Sequence, residues 1–265
     1  MVFKRSKKGG TITYLLVFIL GFLVAAGLFL EYHFIFDSAP TGHILKNAPA
    51  IAGTTRAETS MVAISKRTEK GVIGKIVVEV ADGKDSVLVD IHPFIEPEMQ
   101  NAALMAVKYA KTHTNRNMEN KTIIYRFVVD KNTILIGGPS AGPAMAAATV
   151  AAIEGKKIKE DAIVTGELRA DGTIASVGSV LEKSEAAGLN NFSLFLIPKG
   201  QGEITYYEKE ETSNVFFGID IGRTKLVPKK LNLESYALGQ WNMQVKEAET
   251  MDDVLKEMIL DESAN

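Results

Sequence analysis

Hydrophobic and polar positions divide the chain into two unlike parts. Gly9 to Leu30 is free of charge, and Glu31 closes the run. A buried core helix is a poorer reading of it than an anchor, because the stretch has no polar face. As a helix it would extend roughly 33 Å, close to the thickness of a bilayer core. Past residue 56 the pattern changes to short segments with strand or helix period. Met61-Val62-Ala63-Ile64 predicts a strand, and Val72–Val80 with Ser86–Ile91 predicts a hairpin around Asp82-Gly83. Glu96–Lys111, rich in Ala, Met, Leu and Lys, predicts a helix, and Thr122–Val129 a strand. An Ala-rich helix is expected over Ser140–Glu154, stopped by Gly155. A hairpin around Asp171-Gly172 is expected within Ala162–Ser176, then a short helix over Leu181–Ala187 and a strand over Phe192–Ile197. Asn242–Lys246 predicts a last strand and Met251–Leu260 a last helix, whereas residues 200–240 show no clear period. The mixed order of hairpins and helices predicts an α+β domain, not strict βαβ winding.

Charge sharpens the reading of the amino-terminal part. Lys4, Arg5, Lys7 and Lys8 precede the apolar run, and Tyr14 and Tyr32 lie near its ends, where aromatic residues favour a membrane interface. Residues 1–36 therefore predict a basic cytoplasmic tail and one transmembrane helix, with the bulk of the chain outside the cytoplasm at the cell membrane. A cleaved signal peptide is the rival: a small-residue site stands at Ser38-Ala39, but Pro40 would hinder cleavage and the apolar run exceeds the usual length. Pro40, Gly42, Pro49 and Gly53 mark residues 37–56 as a linker, leaving 57–265 as the folded domain. The formal net charge of −2 suggests no nucleic-acid partner. The chain has no cysteine, which excludes thiolate zinc sites, a Cys nucleophile and disulfides. No metal or other cofactor is expected.

The densest chemical signal is Ile136-Gly137-Gly138-Pro139-Ser140-Ala141-Gly142. A buried strand runs into glycines, and a helix opens at a serine. Glycines admit close backbone approach, and a helix start offers unpaired N–H donors with partial positive charge. Such a place can stabilise an oxyanion, with the Ser140 hydroxyl positioned to attack a carbonyl. The plainer reading is that Ser140 caps the helix. A phosphate cradle is a further alternative, but no Lys-Ser or Lys-Thr follows the glycines as in a Walker loop.

Gly138-Pro139-Ser140-Ala141-Gly142 resembles the nucleophile motif of Lon-type (S16) serine proteases. Thr165-Gly166-Glu167-Leu168 resembles the family's TGE segment, and Gly172, Val177-Gly178 and Leu181-Glu182-Lys183 resemble its following run up to the lysine. The spacing of Ser140 and Lys183 is similar to that of the family's serine and lysine. The resemblance implies a Lon proteolytic domain of the ribosomal protein S5 domain 2-like fold. It implies a Ser140–Lys183 dyad, supported by Thr165, Gly137, Gly138, Pro139 and Glu167. Glu167 reads equally as a hairpin surface charge or a positioning residue. The resemblance further implies a ring-shaped homo-oligomer and peptide or unfolded protein as substrate. Two departures stand out: Gly137 occupies a position where the family often has an acidic residue, and Ser179 replaces the second glycine of a pair.

A lysine serves as base only when neutral, so its pKa must fall from about 10.4 toward 7–8. Burial lowers it, as does a nearby helix start, and the helix opening at Ser140 is a candidate for the second effect. A hydroxyl at Thr165 can accept from Lys183. Most lysines, however, are solvated surface charges. His33, His43, His92 and His113 sit in no recognisable triad context. The functional expectation is an ATP-independent membrane-tethered endopeptidase. The alternatives are a catalytically silent tethered binding module of the same fold and a phosphate-loop enzyme.

Overall fold

The computed structural model describes residues 54–260, apart from 67, 91, 131, 132, 134, 217 and 218 and the side chains of 209–224. The expected anchor and nearly all of the expected linker lie outside the described residues. Among the described residues no helix is long and apolar enough to cross a membrane.

The amino-terminal half comprises β1 (Thr55–Ile64), β2 (Gly71–Asp82), β3 (Ser86–Val89), β4 (Phe94–Ile95), α1 (Pro97–Thr114), β5 (Lys121–Val128), β6 (Leu135–Ile136) and α2 (Gly142–Glu154). There follow β7 (Ala162–Val164), β8 (Glu167–Leu168), β9 (Ile174–Ala175), α3 (Val180–Leu189) and β10 (Leu194–Pro198). The chain continues with β11 (Glu203–Phe216), β12 (Ile219–Asn232), α4 (Leu233–Trp241), β13 (Gln244–Ala248) and α5 (Met251–Met258). Thr55 and Arg56, expected in the linker, are already strand.

Seven strands form one mixed sheet in the order β13-β10-β7-β1-β2-β5-β3. β2 pairs antiparallel with both β1 and β5, while β7, β10 and β13 run parallel to β1. The expected β2–β3 hairpin is not formed. β5 pairs with β2 from Lys75↔Val128 to Asp82↔Lys121, and β3 lies on the far side of β5, parallel to it. The longer apolar strand takes the free edge of β2, so Asp82-Gly83 opens a crossover and not a turn between partners. The sheet is mixed and not strictly βαβ-wound, as expected, although β7 and β10, and β10 and β13, are parallel neighbours whose connections include α3 and α4. The hairpin expected around Asp171-Gly172 is present in short form as β8–β9, with β7 belonging to the central sheet.

Side-chain alternation along the strands puts an apolar layer on each face. Met61, Leu194 and Leu196 join the core beneath α1, α2 and α5, whereas Val62, Phe195 and Ile197 join the core beneath α3 and α4. The result is a sheet with helices on both faces. The segment without a clear period, 200–240, forms the two-stranded β11–β12 ribbon and α4. Tyr207 and Leu226 are exposed on that ribbon, which hides any inside-outside pattern from the sequence.

α2 is the central helix, buried from Gly142 through Ala152. Its alanines face Ala102, Ala103, Ala106 and Ala110 of α1 in one core, and small side chains let the two helices approach closely. Thr149 Oγ1 donates to the Met145 carbonyl at 2.7 Å and meets Tyr125 Oη at 2.6 Å, joining α2 to β5. Ala148 is fully buried. Ala148→Leu is therefore expected to overpack this contact and cost about 1–3 kcal/mol in urea unfolding. Leu104→Ala, at an exposed position on α1, is the control expected to leave the midpoint nearly unchanged. An unshifted midpoint for Ala148→Leu would contradict the packing described.

Candidate active site

The loop from β6 to α2 carries Ser140. Gly138 adopts φ +81°, a left-handed conformation that disfavours side chains, and this turn brings the chain round to the helix. The Pro139 carbonyl then accepts from Gly142 N–H at 3.0 Å, closing the turn around Ser140. α2 begins at Gly142 and its cap residue is Ala141, with no side-chain cap bond. Ser140 is thus not the helix cap; its hydroxyl is left free of that duty. Gly137 and Pro139, like Ser140, are half-buried.

Thr165 follows β7 directly. It is fully buried, and its N–H donates to the Leu196 carbonyl of β10 at 3.0 Å. Gly166 N–H donates to the Ser140 carbonyl at 3.0 Å, and Ala141 bridges to Gly166 in parallel fashion. The chain after β7 therefore grips the Ser140 loop by its backbone. Close approach is needed here: a Cβ on Gly166 would lie 2.3 Å from Ile174 Cγ2.

Lys183 reaches the same point from the other face of the sheet. It lies on the buried face of α3 with Val180, Ser184 and Ala187. α3 presses onto the start of β2 at Gly71, where a Cβ would meet the Glu182 carbonyl oxygen at 2.3 Å. The Lys183 side chain is consequently almost sealed from solvent, at 4% exposure. Its Nζ donates to Thr165 Oγ1 at 3.3 Å, and Thr165 Oγ1 in turn donates to the Ser140 carbonyl at 3.5 Å. Burial lowers the Lys183 pKa to about 8, and the adjacent Glu182 carboxylate opposes that shift. Burial is thus the main cause of the lowered value.

Ser140, Thr165 and Lys183 are thus brought together, with Thr165 as the link. The link at 3.3 and 3.5 Å ends on the Ser140 backbone carbonyl, so it sets the Lys183 amine beside the loop that carries the Ser140 hydroxyl. Glu167 stands half-buried in β8, paired with Ala175. Ser179, the departure from a glycine pair, takes a left-handed φ of +55° and its carbonyl accepts from Lys183 N–H at 3.1 Å. Thus the replaced glycine position keeps a glycine-like backbone at the start of α3. His113 contacts Tyr109 Oη and Asp252 instead of the serine. Sequence reasoning missed Glu96, whose N–H donates to the Ile136 carbonyl at 3.0 Å and whose side chain lies against Gly137. Only its place at the start of a helix could have drawn attention to it.

Known proteins match the stretch of chain that carries these residues. Residues 75–206 match the family model of the Lon protease (S16) C-terminal proteolytic domain. The Lon protease of Finegoldia magna is 30% identical over 137 residues, covering 49% of this chain and 17% of its own length. That of Vibrio parahaemolyticus is 40% identical over 62 residues, covering 23% of this chain and 8% of its own. Lon protease 1 of Sorangium cellulosum is 26% identical over 150 residues, covering 53% and 18%. The chain spans less than a fifth of the length of these relatives. Ser140, Thr165 and Lys183 all fall inside the matched stretch, and residues 75–206 are a proteolytic domain of the Lon protease (S16) type.

Proposed function

We propose that this chain is a serine endopeptidase in which Ser140 is the nucleophile and Lys183 the general base, acting on peptides or unfolded proteins. The observation that carries the reading is the sealed Lys183 bonded to Thr165 beside the Ser140 loop. Neutral Lys183 accepts the Ser140 hydroxyl proton as Oγ attacks the scissile carbonyl. The oxyanion that forms is met by backbone N–H groups where the loop turns into α2. Collapse expels the amine, which takes the proton from the Lys183 ammonium. Water then attacks the acyl-serine with Lys183 again as base, releasing the acid and restoring Ser140. Thr165 holds Nζ in direction throughout.

The run Gly9–Leu30 with its basic flank supports a tether to the cell membrane, with the catalytic domain outside the cytoplasm. A homo-oligomeric ring is a further element of this reading, drawn from the resemblance. A silent binding module is the poorer account. A shift from 10.5 to about 8 corresponds to about 3 kcal/mol of disfavoured ammonium, and a binding module has no evident use for that cost.

Ser140→Ala is expected to lower kcat/KM for a fluorogenic peptide by roughly 10³-fold or more. Retained turnover would sink the mechanism. In wild type, kcat/KM should climb with pH and reach half its plateau near 8, as the base form of Lys183 populates; a rate flat from pH 6 to 9 contradicts it.

A second outcome concerns stability. The folded-state pKa of Lys183 lies below its unfolded value, so below pH 8 both states hold the proton and the burial cost is complete. Between about 8 and 10.5 the unfolded state binds more protons, and stability rises with pH. Lys183→Met should therefore be inactive yet more stable than wild type at pH 7, with the difference shrinking toward pH 10. Urea unfolding across that range checks it. A variant less stable than wild type at pH 7, or a difference independent of pH, contradicts the sealed-lysine account.

A further inference from the structure

Glu96 precedes α1 at the cap position, where short polar side chains usually bond the helix N–H groups. Its carboxylate makes no such cap bond. It turns instead toward the β6–α2 loop. A Cβ built on Gly137 would lie 1.7 Å from Glu96 Oε2, so the carboxylate fills the space a side chain at 137 would need. The other oxygen, Oε1, accepts from Lys66 Nζ, which comes from the turn between β1 and β2. The Glu96 backbone adds its N–H bond to the Ile136 carbonyl at 3.0 Å, and Ile95 pairs with Ile136 across β4 and β6. The start of α1 thus packs on the residues just before Ser140, and the β1–β2 turn bonds to it through Lys66. That loop holds two consecutive glycines, Gly137 and Gly138, whose backbone freedom is large unless a neighbour restricts it.

We propose that Glu96 is a positioning residue: braced by Lys66, its carboxylate clamps the loop at Gly137 and so fixes where the Ser140 hydroxyl stands. The inference rests on the peptidase reading above. A nucleophile misplaced by about 1 Å can lose about 10²-fold in rate. A clamp acts on that placement more than on substrate affinity, so its loss belongs in kcat.

The test uses the full-length chain and compares Glu96→Ala, Glu96→Gln, Gly137→Ala and the Glu96→Ala/Gly137→Ala double variant, with Ser140→Ala alongside. The readouts are kcat and KM on a fluorogenic peptide and amide hydrogen exchange over residues 137–141. Glu96→Ala is expected to lower kcat by about 10- to 100-fold, with KM within about twofold, and to speed exchange over 137–141. Glu96→Gln keeps the shape and loses the charge facing Lys66, so it should fall between wild type and Glu96→Ala. Gly137→Ala pushes the carboxylate off the loop and should match Glu96→Ala, with the double variant no worse than either single change. An unchanged kcat in Glu96→Ala, a lowered kcat with exchange unchanged, or additive losses in the double variant would each overturn the proposal. If Glu96→Ala does not fold, Glu96→Gln decides by the same two readouts. Activity retained in Ser140→Ala would defeat the peptidase reading, while the exchange data would still report on the clamp.

Discussion

The sealing of one lysine in a packed interior is the constraint on which the site depends. Lys183 Nζ has left water almost entirely and holds Thr165 Oγ1 as its hydrogen-bond partner. In that setting the ammonium is disfavoured, and the amine that remains can take a proton near neutral pH. A surface lysine of the same sequence context would be charged and useless as a base. The lowered pKa is therefore a consequence of packing: α3 must lie close enough on the sheet to bury its own lysine, and Gly71 permits that approach.

The architecture supplies the rest by convergence. β7 ends at Thr165, the Ser140 loop arrives with α2 from one core, and Lys183 arrives with α3 from the other. A three-member chain of contacts, Lys183 to Thr165 to the Ser140 carbonyl, crosses the end of the sheet. The alanine-rich contact between α1 and α2 fixes the helix that follows Ser140, and Glu96 at the start of α1 touches the loop that precedes it. The Ser140 loop is thus held between two helices that belong to one core, which gives it a rigid frame despite its glycines.

Much of this was legible in the residues because the relevant features are local. Helices and strands with clear period, such as α1, β5 and α5, lie within a few residues of their expected bounds, and Gly155 ends α2 as its type suggests. The Ser140, Thr165 and Lys183 cluster was legible from motifs in order, which no single residue could have carried. What escaped was long-range. The choice of β5 over β3 as the partner of β2 depends on competition between strands distant in sequence. The start of α2 moved from Ser140 to Gly142 because Pro139 and Gly142 close a turn of their own. Glu96 was invisible because its partners, Gly137 and Lys66, are separated from it by many residues and share no motif with it. The ribbon of β11 and β12 gave no period because its exposed residues include Tyr207 and Leu226.

The central claim, that burial makes Lys183 a base near neutral pH, is tested most directly by its own titration. Carbon-13 at the lysine ε position can be followed by NMR in the full chain across pH 6 to 11, with Lys183→Met identifying the signal. An inflection near 8 for that one resonance, apart from the exposed lysines, agrees with the sealed site. A Lys183 signal that titrates with the exposed lysines above pH 10 would contradict it.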